Sequence, residues 1–86
     1  MMSKDLQKIS FFLQTKAAET GASENTLAAY ARDLKDVFSW CEANQISLMA
    51  LSRTDIDSYF INLTSKRLAS STRARRLSVI KQYFLF

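Results

Sequence analysis

A single glycine and the absence of proline are the features that most limit how this chain can fold. Tight turns between strands draw mainly on these two residue types. A chain of 86 residues with so few of them favours helices joined by short polar connections. Hydrophobic residues make up 48% of the sequence, which is enough for one small and efficiently packed core. The sequence therefore predicts a single all-α domain over residues 1–86.

Apolar residues recur at helical spacing in four segments of the chain. Gly21 follows the first segment, at a position typical of a left-handed helix C-cap. Ser23 is a suitable N-cap for the second helix, and Ser52 with Asp55 has the spacing of a capping box for the third. The four predicted helices cover about residues 4–19, 24–42, 55–66 and 71–86.

The basic residues are concentrated in the last quarter of the chain. Residues 66–86 carry a charge of +6 and contain no acidic residue, whereas the rest of the chain carries −2. Lys66 and Arg67 suit the C-terminal end of the third helix, where the dipole favours cations. Arg73, Arg75 and Arg76 would instead lie in the first turns of the fourth helix, where cations are disfavoured. Helix stability does not explain why arginines occupy these positions, so we expect them to bind a polyanion outside the helix.

The fourth helix is predicted to be two-sided. Its inward residues are predicted to be Leu77, Ile80 and Phe84, and its outward residues Thr72, Arg75, Val79 and Gln82, with Arg76 on a flank. Thr72 and Arg75 could hydrogen-bond phosphates or base edges. Because Arg75 and Arg76 are predicted to lie away from the apolar stripe, we expect that replacing both with glutamate leaves the fold intact.

The sequence offers no catalytic constellation and no metal site. It has no histidine, and Cys41 is its only cysteine, which removes the common zinc sites, histidine-based catalysis and an internal disulfide. We interpret Cys41 as a small core residue of the second helix. The pairs Asp33 with Asp36 and Asp55 with Asp57 are interpreted as solvated helix faces and caps. The isolated chain is not expected to be an enzyme.

The ends of the chain carry two further expectations. The N-terminal segment lacks the apolar run of a cleavable signal, and no segment has the length of a membrane span. With a single cysteine, these features predict a cytoplasmic protein. The chain ends on the apolar and aromatic residues 83–86 without a cap or a polar tail, which is typical of a piece of a longer protein.

Nucleic-acid binding is the function that the charge pattern favours. Asn25 and Thr26 open the second helix, where backbone amides and side-chain donors suit a phosphate. Two alternatives remain open, a helical protein-interaction module and a basic face that only keeps the domain soluble. A small helix-turn-helix regulator needs two helices joined by a turn of about 3–4 residues, which the long loop from Ala43 to Ser52 argues against.

Three stretches resemble the tyrosine site-specific recombinases, the family of phage integrases and Xer proteins. Ser23–Leu34 reads SENTLAAYARDL and resembles the family helix S-x-x-T-L-x-x-Y-x-x-D-L. Thr72–Phe84 reads TRARRLSVIKQYF and is similar to the family helix T-x-x-R-x-L-S-x-I-K/R-x-F/Y-F. Between them, Leu51–Ile56 resembles the start of the family's third helix. The likeness covers nearly the whole chain and is closest to the Xer type.

The resemblance implies an N-terminal core-binding domain, a four-helix SAM-like orthogonal bundle that forms one half of a clamp on the recombination site. The implied partners are double-stranded DNA and other recombinase protomers in a tetramer, with no membrane and no small molecule. The family's catalytic residues belong to a C-terminal domain that is absent from this sequence, and its reaction uses no metal or nucleotide cofactor. The intact protein would serve chromosome-dimer resolution or mobile-element integration.

The resemblance also assigns residues by position. In the family, the second and fourth helices of this domain face the DNA, which here implicates Asn25, Thr26, Arg32, Thr72, Arg73, Arg75, Arg76 and Lys81. A regular helix turns Arg73 toward the core side, so its assignment is weaker. The family's first helix contacts neighbouring protomers, which would use Phe11 on the side away from the apolar stripe. Cover of Phe11 by the N-terminal tail is the alternative.

Overall fold

The structure is a computed structural model, and it describes residues 3–86. This part of the chain is helical and contains no strand, which confirms the all-α prediction. Its elements are α1 (Ser3–Thr20), α2 (Glu24–Ala43), a short 3₁₀ helix (Leu48–Ala50), α3 (Arg53–Ser65) and α4 (Ser70–Leu85). None of the helices within these residues is long and apolar enough to cross a membrane.

The predicted helix ends are largely confirmed. Gly21 has a φ of +62°, the left-handed conformation expected of a glycine after a helix. The hydroxyl of Ser23 accepts a hydrogen bond from the backbone N–H of Thr26 at 3.2 Å. The Ser52 and Asp55 side chains accept hydrogen bonds from each other's backbone N–H groups at 3.1 and 3.0 Å, which completes the capping box. Both α3 and α4 begin one or two residues before their predicted starts.

The core is built around α2, which packs against α1, α4 and the 3₁₀ helix. The buried apolar side chains are Ile9, Phe12, Leu34, Val37, Phe38, Cys41, Leu48, Tyr59, Leu63, Val79, Ile80 and Tyr83. Cys41 belongs to this set, as predicted, and burial raises the pKa of its thiol to about 11. The rings of Phe12 and Tyr83 meet edge to face with their centroids 5.7 Å apart, so they join α1 to the end of α4.

The predicted orientation of α4 is wrong in part. Its buried residues are Arg76, Val79, Ile80 and Tyr83. Val79 was expected to face outward and is fully buried, and Arg76 is buried rather than on a flank. Leu77 and Phe84, expected to face inward, are only half-buried. The spacing of apolar residues predicted the buried face of α4 incorrectly because one residue of that face is Arg76, and an arginine gives no hydrophobic signal in the sequence.

Candidate nucleic-acid interface

Asp33 on α2 is fully buried and binds two arginines of α4. Its Oδ2 accepts a hydrogen bond from Arg75 Nε at 2.8 Å, and its Oδ1 accepts one from Arg75 Nη2 at 2.9 Å. The same Oδ1 also accepts a hydrogen bond from Arg76 Nε at 3.0 Å. One carboxylate therefore fixes the positions of both guanidinium groups against α2.

The guanidinium group of Arg76 also contacts Asp36 on α2 and Tyr59 on α3. Arg76 Nη1 donates to Asp36 Oδ2 at 2.9 Å and lies 3.3 Å from the Tyr59 hydroxyl oxygen. The Tyr59 hydroxyl in turn donates to Asp36 Oδ2 at 2.6 Å. We call Asp33, Asp36, Tyr59, Arg75 and Arg76 the polar network. It joins α2, α3 and α4 through charged and hydrogen-bonding side chains.

The pKa values in the polar network favour its present protonation states. Burial and the hydrogen bond to Asp36 raise the pKa of Tyr59 well above its ordinary value, so the phenol stays a neutral donor. Burial alone would lower the pKa of Arg76, but its hydrogen bonds to Tyr59 and Asp33 outweigh that cost and the pKa is raised. The hydrogen bonds that Arg75 donates to Asp33 raise the pKa of Arg75. Both guanidinium groups therefore remain charged.

The polar network corrects two interpretations made from the sequence. Asp33 was interpreted as part of a solvated helix face, whereas it is fully buried, and Asp36 is only partly exposed. Arg75 and Arg76 were assigned to an external polyanion alone because their place near the start of α4 is unfavourable. The buried carboxylate of Asp33 binds both arginines, so their place on α4 is also explained by a partner inside the protein. Replacing Arg76 with glutamate would set a carboxylate against Asp33 and Asp36, so the fold is not expected to survive the double glutamate substitution.

Part of the Arg75 side chain is exposed and could bind a second partner besides Asp33. Its side chain is 37% exposed, compared with 7% for Arg76. Asp33 occupies the edge of the Arg75 guanidinium formed by Nε and Nη2. Nη1 makes no hydrogen bond within residues 3–86, so the terminal edge of the group is left for another acceptor. An arginine held in this way can offer two parallel donors to a phosphate or to guanine.

The other residues implicated by the resemblance differ in exposure. Asn25, Arg32 and Lys81 are exposed, whereas Thr26, Thr72 and Arg73 are half-buried. The Thr26 hydroxyl accepts a hydrogen bond from Ser23 at the start of α2. Arg73 Nη1 donates to the Thr64 hydroxyl at 3.0 Å across the α3–α4 turn, and Arg73 Nε is buried without a partner in the described chain. Arg73 thus packs toward α3, as a regular helix predicts.

A pocket of about 400 Å³ lies between α2 and the α3–α4 turn. We call it the cationic pocket because four of its lining residues are lysines or arginines. The full lining is Arg32, Lys35, Asp36, Ser39, Leu63, Lys66, Leu68 and Arg76. It brings together Arg32 and Arg76, two of the residues that the resemblance implicates. Reasoning from the sequence did not single out Lys35, and it assigned Lys66 only to the end of α3. The available signal was the i,i+3 spacing of Arg32 and Lys35 on α2.

Lys81 lies apart from the cationic pocket. It lines a larger groove of about 800 Å³ between the start of α3 and the second half of α4, together with Leu51, Arg53, Ile56, Asp57, Leu77, Ile80, Phe84 and Leu85. The implicated residues of α4 therefore do not form one continuous site. No group of three or more histidine, cysteine, aspartate or glutamate side chains in the described residues could hold a metal ion.

Phe11 on α1 is 61% exposed. Its ring lies edge to face against Phe86, with the centroids 5.3 Å apart, so one side of the ring is covered by the C-terminal end of the chain. The alternative prediction, cover by the N-terminal tail, concerns residues 1–2, which lie outside the described residues. The exposed face of Phe11 remains available for a partner.

The comparison with protein families identifies the fold family. The model for "Phage integrase, N-terminal SAM-like domain" matches residues 9–86. The chain therefore belongs to the phage integrase N-terminal SAM-like domain family, which confirms the recombinase resemblance and the SAM-like fold.

The chain is also similar to several curated recombinases. It is 37% identical over 78 residues to the tyrosine recombinase XerD of Rhizobium meliloti, a match that covers 91% of this chain and 25% of that protein. It is 33% identical over 86 residues to XerD of Agrobacterium fabrum, with coverage of 100% and 26%. It is 38% identical over 79 residues to the tyrosine recombinase XerC of Herpetosiphon aurantiacus, with coverage of 91% and 26%. The chain spans about a quarter of the length of these relatives, and no solved structure matches it.

Proposed function

We propose that this domain is the DNA-binding, core-binding half of a Xer-like tyrosine recombinase. In this proposal, α2 and α4 hold one side of a double-stranded recombination site. Strand exchange would be carried out by a separate catalytic domain of the intact protein, in chromosome-dimer resolution or mobile-element integration. The DNA substrate of such a reaction lies in the cytoplasm of a bacterium, which is the compartment we propose.

The observation that best supports this proposal concerns the guanidinium group of Arg75. Asp33 fixes its position, yet the side chain stays partly exposed to solvent. Asp33 binds one edge of it from the interior, and the terminal edge is free of hydrogen bonds within the described chain. Restricting the side chain before binding lowers the entropy lost when it meets a ligand. Phosphate oxygens and the O6 and N7 atoms of guanine are the acceptors that best match two parallel donors.

The proposed contacts extend from Arg75 along both helices. The exposed Asn25 and the backbone at Thr26 would contact a phosphate at the start of α2, where the helix dipole favours an anion. Thr72 lies one turn before Arg75 on α4 and could add a hydroxyl donor. We retain Arg32 and Lys81 as phosphate contacts because both are exposed cations, and we assign Arg73 only a supporting role because it packs toward α3.

Assembly with other protomers is the second part of the proposal. We assign Phe11 to that contact because it is an exposed aromatic on α1, a helix that contributes no residue to the polar network. In the intact protein, Phe11→Ser is expected to reduce the occupancy of two-protomer and four-protomer complexes on DNA while leaving the binding of the first protomer unchanged. Native gel electrophoresis with increasing protein would detect the difference. Equal loss of every complex would contradict an assembly role.

Two other functions remain as outcomes of the test. A helical protein-interaction module would bind a protein partner with little salt dependence and would not bind DNA. A helix-turn-helix regulator is the other, because the four-residue turn between Ser65 and Ser70 has the length of a helix-turn-helix connection, unlike the longer loop after Ala43. The family match over residues 9–86 favours the recombinase domain over an independent regulator.

Fluorescence anisotropy with a labelled short duplex tests the proposed function. The domain is expected to bind with a Kd of roughly 10⁻⁴–10⁻⁶ M for non-specific DNA near physiological salt. The logarithm of the binding constant should fall linearly with the logarithm of the salt concentration, with a slope of about −0.9 per phosphate contacted. Absence of binding even at low salt would contradict the proposal.

A further inference from the structure

The cationic pocket has three positive charges that form no ion pair within residues 3–86. Arg32, Lys35, Lys66 and Arg76 line it, and Asp36 is its only acidic lining residue. Among the residues described, no carboxylate lies within ion-pair distance of Arg32, Lys35 or Lys66. Three exposed cations around one concave surface raise the local concentration of an anion.

The floor of the pocket provides a second, independent observation. The Arg76 side chain is 7% exposed, and two of its nitrogens are bound, Nε to Asp33 and Nη1 to Asp36. Nη2 makes no hydrogen bond within residues 3–86. Nη2 is not among the buried side-chain atoms that lack a partner in the described chain, so solvent reaches it. A ligand in the cationic pocket, which Arg76 lines, can therefore reach a charged donor that the described residues leave free.

We propose that the cationic pocket binds a phosphodiester group of the DNA backbone. This inference rests on the proposed function and adds a second contact point to the one at Arg75. Arg76 Nη2 would donate to a phosphate oxygen from the floor, and the ammonium groups of Lys35 and Lys66 would approach from the sides. The Ser39 hydroxyl provides a further donor.

A DNA phosphate fits the position of the pocket better than an unrelated anion does. Arg75 and Arg76 are adjacent on α4 and share the carboxylate of Asp33, so the two proposed contact points are mechanically joined. Arg32 belongs to the pocket and also to the set of residues that the recombinase resemblance assigns to DNA. Asp33 is thus a positioning residue for both contacts, since it touches neither phosphate itself.

The test compares two double variants that remove the same charge. K35Q/K66Q removes two exposed cations of the pocket, and K4Q/R53Q removes two exposed cations outside it. Both variants change the net charge by −2, so general attraction to DNA falls similarly. The pocket variant alone is expected to make the salt slope of duplex binding less negative, by about 0.9 for the phosphate lost. A circular dichroism melt checks that both variants fold.

The outcomes separate this inference from the proposed function. If the wild-type domain binds DNA but K35Q/K66Q has the same salt slope as K4Q/R53Q, the pocket is not a DNA contact and the proposed function still stands. If the wild-type domain does not bind DNA, the proposed function fails and the pocket assignment fails with it.

A titration with inorganic phosphate distinguishes the source of the anion. The Nε–H signal of Arg76 in a ¹⁵N NMR spectrum is expected to shift on addition of duplex in the wild-type domain and not in K35Q/K66Q. A shift with inorganic phosphate, combined with an unchanged salt slope for K35Q/K66Q, would describe a site for a free anion and would overturn the DNA contact.

Discussion

Asp33 and Arg76 are 43 positions apart in the sequence, and they form the one ion pair in residues 3–86 whose two side chains are both buried. Their atoms Oδ1 and Nε are 3.0 Å apart. Burial of two charges is costly, and it is tolerated here because Arg75 also donates to Asp33, while Asp36 and Tyr59 accept hydrogen bonds from Arg76 Nη1. The pair fixes the rotation of α4 against α2 and thereby the direction of Arg75.

Removal of the shared carboxylate should destabilise the fold strongly. Asp33→Ala leaves the buried Arg76 guanidinium without its main counter-charge, and the expected loss is about 3–5 kcal/mol of unfolding free energy. Urea denaturation followed by circular dichroism measures it. Asp57→Ala is the matched control because Asp57 is exposed, and its effect should be within about 0.5 kcal/mol. Equal stability of the two variants would contradict the structural role of Asp33.

The two buried tyrosines should respond differently to loss of their hydroxyl groups. The Tyr59 hydroxyl bonds to Asp36 and Arg76, so Tyr59→Phe should cost about 1.5–3 kcal/mol. The Tyr83 hydroxyl is buried without a partner in the described chain, so Tyr83→Phe should be neutral or stabilising. Thermal melts of the two variants measure the difference. A larger loss for Tyr83→Phe would contradict the hydrogen-bond assignment.

Stability should fall in alkaline solution. Burial raises the pKa of Cys41 to about 11 and that of Tyr83 to about 12, from ordinary values of 9.0 and 10.0. Each group is neutral when protonated, and the folded state retains its proton to higher pH than the unfolded state does. The stabilising contribution is therefore complete below about pH 9 and is lost as the pH rises toward about 12.

Urea denaturation at a series of pH values checks this expectation. Tyr83→Phe removes one of the titrating groups without removing a hydrogen bond, so the variant should lose less stability than the wild-type domain across the alkaline range. An identical pH dependence of the two proteins would show that Tyr83 does not contribute.

Much of the fold could be predicted because its signals are local. Helical periodicity, the left-handed glycine at Gly21 and the capping box of Ser52 with Asp55 each depend on residues within a few positions of one another. The burial of Cys41 likewise follows from its place on an apolar helix face. These predictions needed no knowledge of which helices meet.

The polar network could not be predicted in the same way. Asp33 meets Arg75 and Arg76 from more than forty positions away, and no local rule pairs a particular carboxylate with a particular arginine. The unfavourable place of the arginines near the start of α4 indicates that they have a partner, but it does not show whether that partner is inside or outside the protein. Because Arg76 faces inward, Val79 also faces inward, since residues three positions apart lie on the same face of a helix. The error in orientation and the error in site assignment thus have one cause.

Arg75 should matter for DNA binding more than its charge alone explains. Arg75→Gln removes the two-donor edge while Arg76 still neutralises Asp33, so the variant should fold and bind a duplex about tenfold less tightly, a loss of about 1.4 kcal/mol. Arg53→Gln, an exposed residue outside the proposed contacts, is the control for loss of one charge. Anisotropy titrations compare the two. Equal affinity of the folded variants would remove Arg75 from the interface.

The central claim is that α2 and α4 together bind double-stranded DNA, and an NMR titration of the domain with a short duplex tests it most directly. Backbone amide signals are followed at low and at moderate salt. We expect shifts confined to residues near 23–39 and 66–82, which cover the start of α2, the cationic pocket and the first turns of α4, and we expect these shifts to weaken as salt rises. Absence of shifts at both salt concentrations, or shifts confined to α1, would contradict it.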